Sequence, residues 1–192
     1  MYSLVSRSRP VHVAVDPDFH VFRSLYQEER PVTLSKVLGY GNLHYYFDIN
    51  NADHGAFTAK WIASLEGKKE IHSSTGDVAV PAAGALVLIG DGFADFMKSQ
   101  LIDQNFSLVD QKLSIENQEF VLDDVSSVIV TRLKSNPAQP VVWVRWAKDN
   151  NPGEWATRLT HYGSFGLLVF KGRPVVYKST WPVTSSPLQR KL

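Results

Sequence analysis

Gly84–Asn105, GALVLIGDGFADFMKSQLIDQN, decides how the rest of the chain is read. Leu86, Val87, Leu88 and Ile89 form an unbroken apolar run, the pattern of a strand covered on both faces. Gly90-Asp91-Gly92 interrupts it. Phe93, Phe96, Met97 and Leu101 then recur at helical spacing, with Asp95, Lys98 and Asp103 on the other side. A strand feeding an amphipathic helix over Phe93–Gln104 is the unit of an α/β layer. The stretch predicts a single three-layer α/β domain over residues 1–192, with a mixed, partly parallel sheet and helices mainly from the N-terminal half.

Upstream, Leu43–Ile49 (LHYYFDI) reads as a second strand, rich in aromatics. Asn50–Asp53 can cap a helix over His54–Leu65, whose Phe57, Trp61 and Leu65 lie four apart. Val11–Val15 is a short strand. Asp16 or Asp18 can cap a short helix from Phe19 to Tyr26 with Phe22 and Leu25 inward, and Thr33–Leu38 is a further short segment closed by Gly39. Ile71–Ala83 reads as mixed, with a loop at Ser73–Asp77. Downstream the pattern turns to strands: Phe106–Val109, Phe120–Leu122, Val125–Leu133, Val141–Ala147, Phe165–Phe170 and Pro174–Tyr177. Glu154–Leu159 is the one helix candidate in that half. The tail from Ser185 reads as frayed.

The chain has 192 residues, 44% of them hydrophobic and 20% charged, an ordinary globular balance. Its 20 basic against 19 acidic residues leave a net charge of +1, which argues for neither nucleic acid nor an anionic membrane as partner. No apolar run reaches the length of a membrane span, and MYSLVSRSRP lacks the apolar centre of a signal peptide. There is no cysteine, so disulfides, thiolate metal sites and a cysteine nucleophile are excluded.

Chemistry-bearing motifs are sparse. Gly90-Asp91-Gly92-Phe93 outlines a turn that aims backbone N–H groups at an anion, but the glycine fingerprint is incomplete and Asp91 repels phosphate. The plainer reading is a tight turn with Asp91 as helix cap. Asp48–Asp53 begins like a calcium loop and fails at Ala52, Asp53 and Ala59. The six histidines (His12, His20, His44, His54, His72, His161) include no H-E-x-x-H and no pair four apart, so no metal site built on one helix exists. A site assembled from separated histidines stays open; no metal or cofactor is expected in this chain. His72 beside Ser73 and Ser74 suggests a base and nucleophile, yet adjacent strand residues point to opposite faces. Gly163-Ser164-Phe165-Gly166 lacks the spacing of a nucleophile elbow. Asn105-Phe106-Ser107 matches a glycosylation sequon by chance. Trp143, Trp146, Trp155, Tyr162, Tyr177 and Trp181 crowd the last third. With a single helix candidate there to cover the sheet, some of these rings are expected on an exposed docking surface.

Three segments carry a resemblance. Val15–Leu34 (VDPDFHVFRSLYQEERPVTL) contributes Asp16, Pro17, Asp18, Phe22, Arg23, Leu25, Glu29, Pro31 and Leu34. His161–Gly172 (HYGSFGLLVFKG) is the second. Trp181-Pro182-Val183 with Ser186-Pro187-Leu188 is the third. Together they resemble the C-terminal, non-catalytic region of bacterial M1-like zinc metallopeptidases, relatives of aminopeptidase N. That family's H-E-x-x-H helix and downstream glutamate are not in this sequence, so no catalytic residue carries over. The resemblance implies the C-terminal part of a longer protein, an accessory domain that caps, positions or dimerises a catalytic part. Its partner would be that peptidase domain or a second copy, its zinc would lie outside this chain, and its setting would be the bacterial cell envelope. The other reading is an independent small α/β domain binding a small anionic ligand at Gly90–Phe93, with an enzyme of unknown reaction as one form of it.

Overall fold

The computed structural model describes residues 7–18, 20–48, 61, 63, 68–147, 158–183 and 186–191. Its strands are β1 (His12–Ala14), β2 (Asn42–Asp48), β3 (Lys68–Ser74), β4 (Ala85–Ile89), β5 (Phe106–Val109), β6 (Lys112–Ile115), β7 (Gln118–Val121), β8 (Ser126–Arg132), β9 (Pro140–Arg145), β10 (Leu167–Phe170), β11 (Val175–Ser179) and β12 (Gln189–Lys191). Two short α-helices accompany them among the described residues, α1 (Leu34–Leu38) and α2 (Ala94–Gln100). The chain divides into two compact units, Val32–Trp181 and the pair of segments Met1–Pro31 and Pro182–Leu192.

This corrects the expected fold class. The described structure is mostly β, twelve strands in three sheets, and not a three-layer α/β domain supplied with helices by its N-terminal half. The helix expected over Phe93–Gln104 shrinks to Ala94–Gln100 behind a single 3-10 turn at Asp91–Phe93. Of the expected His54–Leu65 helix only Trp61 and Ala63 are described, both helical; the remainder and most of Glu154–Leu159 lie outside the described residues. No helix forms over the described part of Phe19–Tyr26. Phe22 is fully exposed, so a helix there would have no apolar face to bury.

The larger unit is built on a seven-stranded mixed sheet in the order β11-β10-β8-β9-β4-β2-β3. β3, β2, β4 and β9 run parallel; β9, β8, β10 and β11 alternate in direction. The central β4 is buried at every residue, which explains its unbroken apolar run. Paired residues share a face, so one row crosses the sheet as His72, Tyr46, Leu88, Trp143, Ile129, Leu167 and Ser179. The row is apolar through the centre and polar at its two edges, on β3 and β11. α1 packs on β4 and β9 through buried Leu34 and Val37, while α2 and the turn before it bury Phe93 and Met97. The small antiparallel sheet β5-β6-β7 adds Leu113 and Ile115 to the core. Its two-residue loop Asp110-Gln111 has positive φ at both positions (48° and 60°), the backbone that matches strand twist in tight hairpins.

In the smaller unit β1 pairs antiparallel with β12, Val13 opposite Arg190. Around this pair, Arg23 donates from both terminal nitrogens to Glu29, at 2.6 and 2.8 Å. Ser186 Oγ donates to the same carboxylate at 2.5 Å, Tyr26 N–H at 2.9 Å, and Arg23 Nε lies 3.4 Å from Asp16. The Arg23 guanidinium, helped by Ser186 and the Tyr26 amide, holds the Glu29 carboxyl down to about 2. A depressed folded-state pKa stabilises above the ordinary glutamate value and is lost as pH falls through the folded one. The chain is therefore expected to lose thermal stability between about pH 4.5 and 2. Glu29→Gln should flatten that part of the melting-temperature profile; an unchanged slope would remove Glu29 as its source.

Candidate functional site

The polar edge of the large sheet gathers the most chemistry. His44, Tyr46 and Asp48 alternate along one face of β2; Glu70, His72 and Ser74 oppose them pair by pair on β3. His44 is buried, its Nε2 3.1 Å from the Ala83 carbonyl and 3.1 Å from Asn42 Nδ2. Its Nδ1 sits 3.3 Å from Glu70 Oε2, while Lys68 Nζ donates to Glu70 Oε1 at 2.9 Å. Lys68, which donates to it, holds the Glu70 carboxyl below its usual range. His72 lies between Tyr46 and His44, with ring centroids at 4.6 and 6.0 Å and nearly parallel planes. The Tyr46 hydroxyl donates to the Ala79 carbonyl at 2.5 Å, and burial, with the Glu70 charge behind it, pushes its pKa up. The segment carrying Ala79 and Ala83 thus lies over this seam. Gly84, at φ +107°, lets it pass: a Cβ there would meet His44 at 2.8 Å.

The Gly90–Phe93 turn lies at the carboxyl end of β4 and is fastened to β9. Gly90 N–H donates to the Val144 carbonyl at 2.9 Å, and Trp143 Nε1 to the Gly90 carbonyl at 2.7 Å. Arg145 Nε reaches Asp91 at 2.8 Å. Asp91 is thus an ion-pair partner rather than a helix cap. The Gly92 N–H, the group an anion would use, donates to buried Asp48 at 3.1 Å. A carboxylate of the chain occupies that position, and the helix that follows has seven residues. The turn of Gly90, Asp91, Gly92 and Phe93 is built to hold strands together, with Phe93 itself in the core.

The aromatic docking surface meets a different arrangement. Trp143, Trp146 and Trp181 are buried, Tyr162 and Tyr177 are half-buried, and Trp155 lies outside the described residues. Burial is possible because backbone carbonyls serve the indole N–H groups: Gly90 for Trp143, and Val130 for Trp181 at 2.9 Å. Tyr177 donates to Glu116 and packs against Phe120 of the small sheet. The cover that appeared missing for this half of the chain comes from that sheet and from α1.

Of the histidines, His12, His20 and His161 are exposed and His54 lies outside the described residues. His44 and His72 are brought together with Glu70, their donor atoms within 4.8 Å of one another. Reasoning from helical spacing passed over this set. The signal that marks it is Glu70-x-His72 on one strand, two residues apart and therefore on one face. Among the described residues no helix is long and apolar enough to cross a membrane. No protein-family model, curated protein or solved structure matches the chain.

Proposed function

We propose that the chain is a non-catalytic accessory domain of an aminopeptidase N-related zinc metallopeptidase, acting on a catalytic domain of the same protein or on a second copy. One observation supports this most. The residues that carry the resemblance converge: Asp16, Arg23 and Glu29 of the first segment and Ser186 of the third meet in one ion-pair network. Ser186 and Glu29 are 157 positions apart, so their meeting requires the fold and not mere proximity in sequence. In the second segment Leu167–Phe170 form β10, buried at all four positions.

The purified chain is expected to hydrolyse neither peptides nor amino-acid anilides, alone or with added zinc. Mixed with a separately produced H-E-x-x-H catalytic domain encoded in the same reading frame or beside it, it should raise that domain's melting temperature. Peptide hydrolysis by the chain alone, abolished by substituting its own residues, would defeat the proposal. So would the absence of any effect on such a catalytic domain.

A further inference from the structure

We propose that His44, Glu70 and His72 bind one divalent transition-metal ion of the zinc class, and that the ion pins the edge strand β3 to β2. The inference stands on the strand geometry and does not depend on the accessory-domain reading. Three features point to it.

The first is His44. The Ala83 carbonyl can only accept, so in the neutral tautomer that serves it the proton sits on Nε2, with the Asn42 amide turned so that its otherwise unpartnered oxygen faces that N–H, and the Nδ1 lone pair faces Glu70 Oε2 at 3.3 Å. Two acceptors in contact repel unless a positive charge lies between them. A ring nitrogen anchored on a backbone carbonyl while the other binds metal is the usual support of a ligating histidine. The 3.3 Å separation also suits neighbouring ligands of a tetrahedral ion, which lie about 3.3–3.5 Å apart when each bond is about 2.0–2.1 Å.

The second is His72. Its Nε2 is buried without a hydrogen-bond partner, and its ring stacks on Tyr46 at 4.6 Å and lies nearly parallel to His44 at 6.0 Å. Protonating His44 would satisfy His44 and Glu70 as an ion pair and leave His72 unserved. A metal ion serves all three, after a small rotation of His72 closes the remaining distance within the 4.8 Å cluster.

The third is Glu70. Lys68 holds Oε1, which leaves Oε2 as the single oxygen turned to His44. Two imidazoles and one carboxylate suit zinc, cobalt or iron rather than calcium or magnesium, which prefer all-oxygen shells.

The test is to strip the chain with a chelator and titrate it with Zn²⁺ and, separately, Co²⁺. Melting temperature, Co²⁺ visible absorbance and histidine ring NMR signals are followed. Expected are saturation at one ion per chain, a melting temperature that rises with ion concentration, and shifts confined to the rings of His44 and His72. Glu70→Gln and His72→Gln, both on the partly exposed edge strand, should each weaken binding at least about 100-fold, since loss of outer-shell partners alone costs 10–100-fold. No response at millimolar Zn²⁺ would overturn the proposal and leave a His44–Glu70 ion pair. Binding that survives both substitutions, or shifts in other histidine rings of the unsubstituted chain, would overturn it as well.

Discussion

Leu88→Asp is expected to leave no folded protein. Leu88 is completely buried in the middle of the central strand, paired with Tyr46 on one side and Trp143 on the other. Losing the leucine side chain alone costs about 2–5 kcal/mol. An unpaired carboxylate in the same place costs several more, and protonating it still buries an unsatisfied hydroxyl. Neither neighbour can help. The Tyr46 hydroxyl is committed to Ala79 and the Trp143 indole to Gly90. Against a total stability of about 5–15 kcal/mol, the sum removes most or all of the margin. Circular dichroism melting and gel filtration check this, with Leu88→Ala as the graded control that stays folded but melts lower. A soluble Leu88→Asp chain with a cooperative transition would mean that β4 is not the centre of the core.

The same burial explains which parts of the fold were legible in sequence. β4, β9 and β10 are covered on both faces, so each reads as an apolar run whose existence needs no knowledge of its neighbours, and β8 shows the same at its centre, Val128–Val130. The edges do not read that way. β3 is KKEIHSS; on one face Glu70, His72 and Ser74 meet His44, Tyr46 and Asp48 of β2, and no apolar alternation survives to announce a strand. β6 and its hairpin were invisible for another reason. Asp110 and Gln111 adopt the left-handed backbone that usually draws Asn-Gly, so the turn lacks its customary letters. The fold class failed on length. The Phe93, Phe96, Met97 and Leu101 spacing is helical, but α2 stops at Gln100, and among the described residues strands far outnumber helices.

The site was hidden by the same edge. A histidine pair on a helix shows itself as a fixed spacing. His44 and His72 are joined only by the pairing of two parallel strands, which the sequence does not display. Asp16 shows the converse case. Its carboxylate does accept backbone amides, those of His20 and Val21 at 2.6 and 3.1 Å, but these lie four and five residues on, beyond the two or three of a helix cap. No helix follows, because Asp16 itself sits at φ +49° and Arg23 is turned toward Glu29. The readiness of Asp16 to accept backbone amides was readable; the competing ion pair, completed by Ser186 from the far end of the chain, was not.

Arg145→Leu is expected to destabilise the larger unit by about 2–4 kcal/mol, far more than loss of its ion-pair partner. The Arg145 side chain is 2% exposed, and its Nη1 donates to the Leu122 and Val125 carbonyls at 2.9 and 2.8 Å. Those carbonyls belong to the crossing from β7 to β8, so one guanidinium ties that crossing, the end of β9 and the Gly90–Phe93 turn together. Leucine fills part of the volume but leaves the carbonyls without this donor, and buried acceptors stripped of a charged donor are costly. Lysine should rescue poorly, because one ammonium cannot reproduce a planar fork aimed in three directions. Asp91 is the contrast. Its side chain is 65% exposed, water replaces the arginine when the pair is broken, and Asp91→Asn should cost less than about 1 kcal/mol. Urea denaturation of the three variants separates the possibilities. If Arg145→Leu proves no worse than Asp91→Asn, the guanidinium is held in place by the fold and does not hold it. A wide gap between them identifies the buried hydrogen bonds to Leu122 and Val125, rather than the visible ion pair, as what fixes the carboxyl end of the sheet.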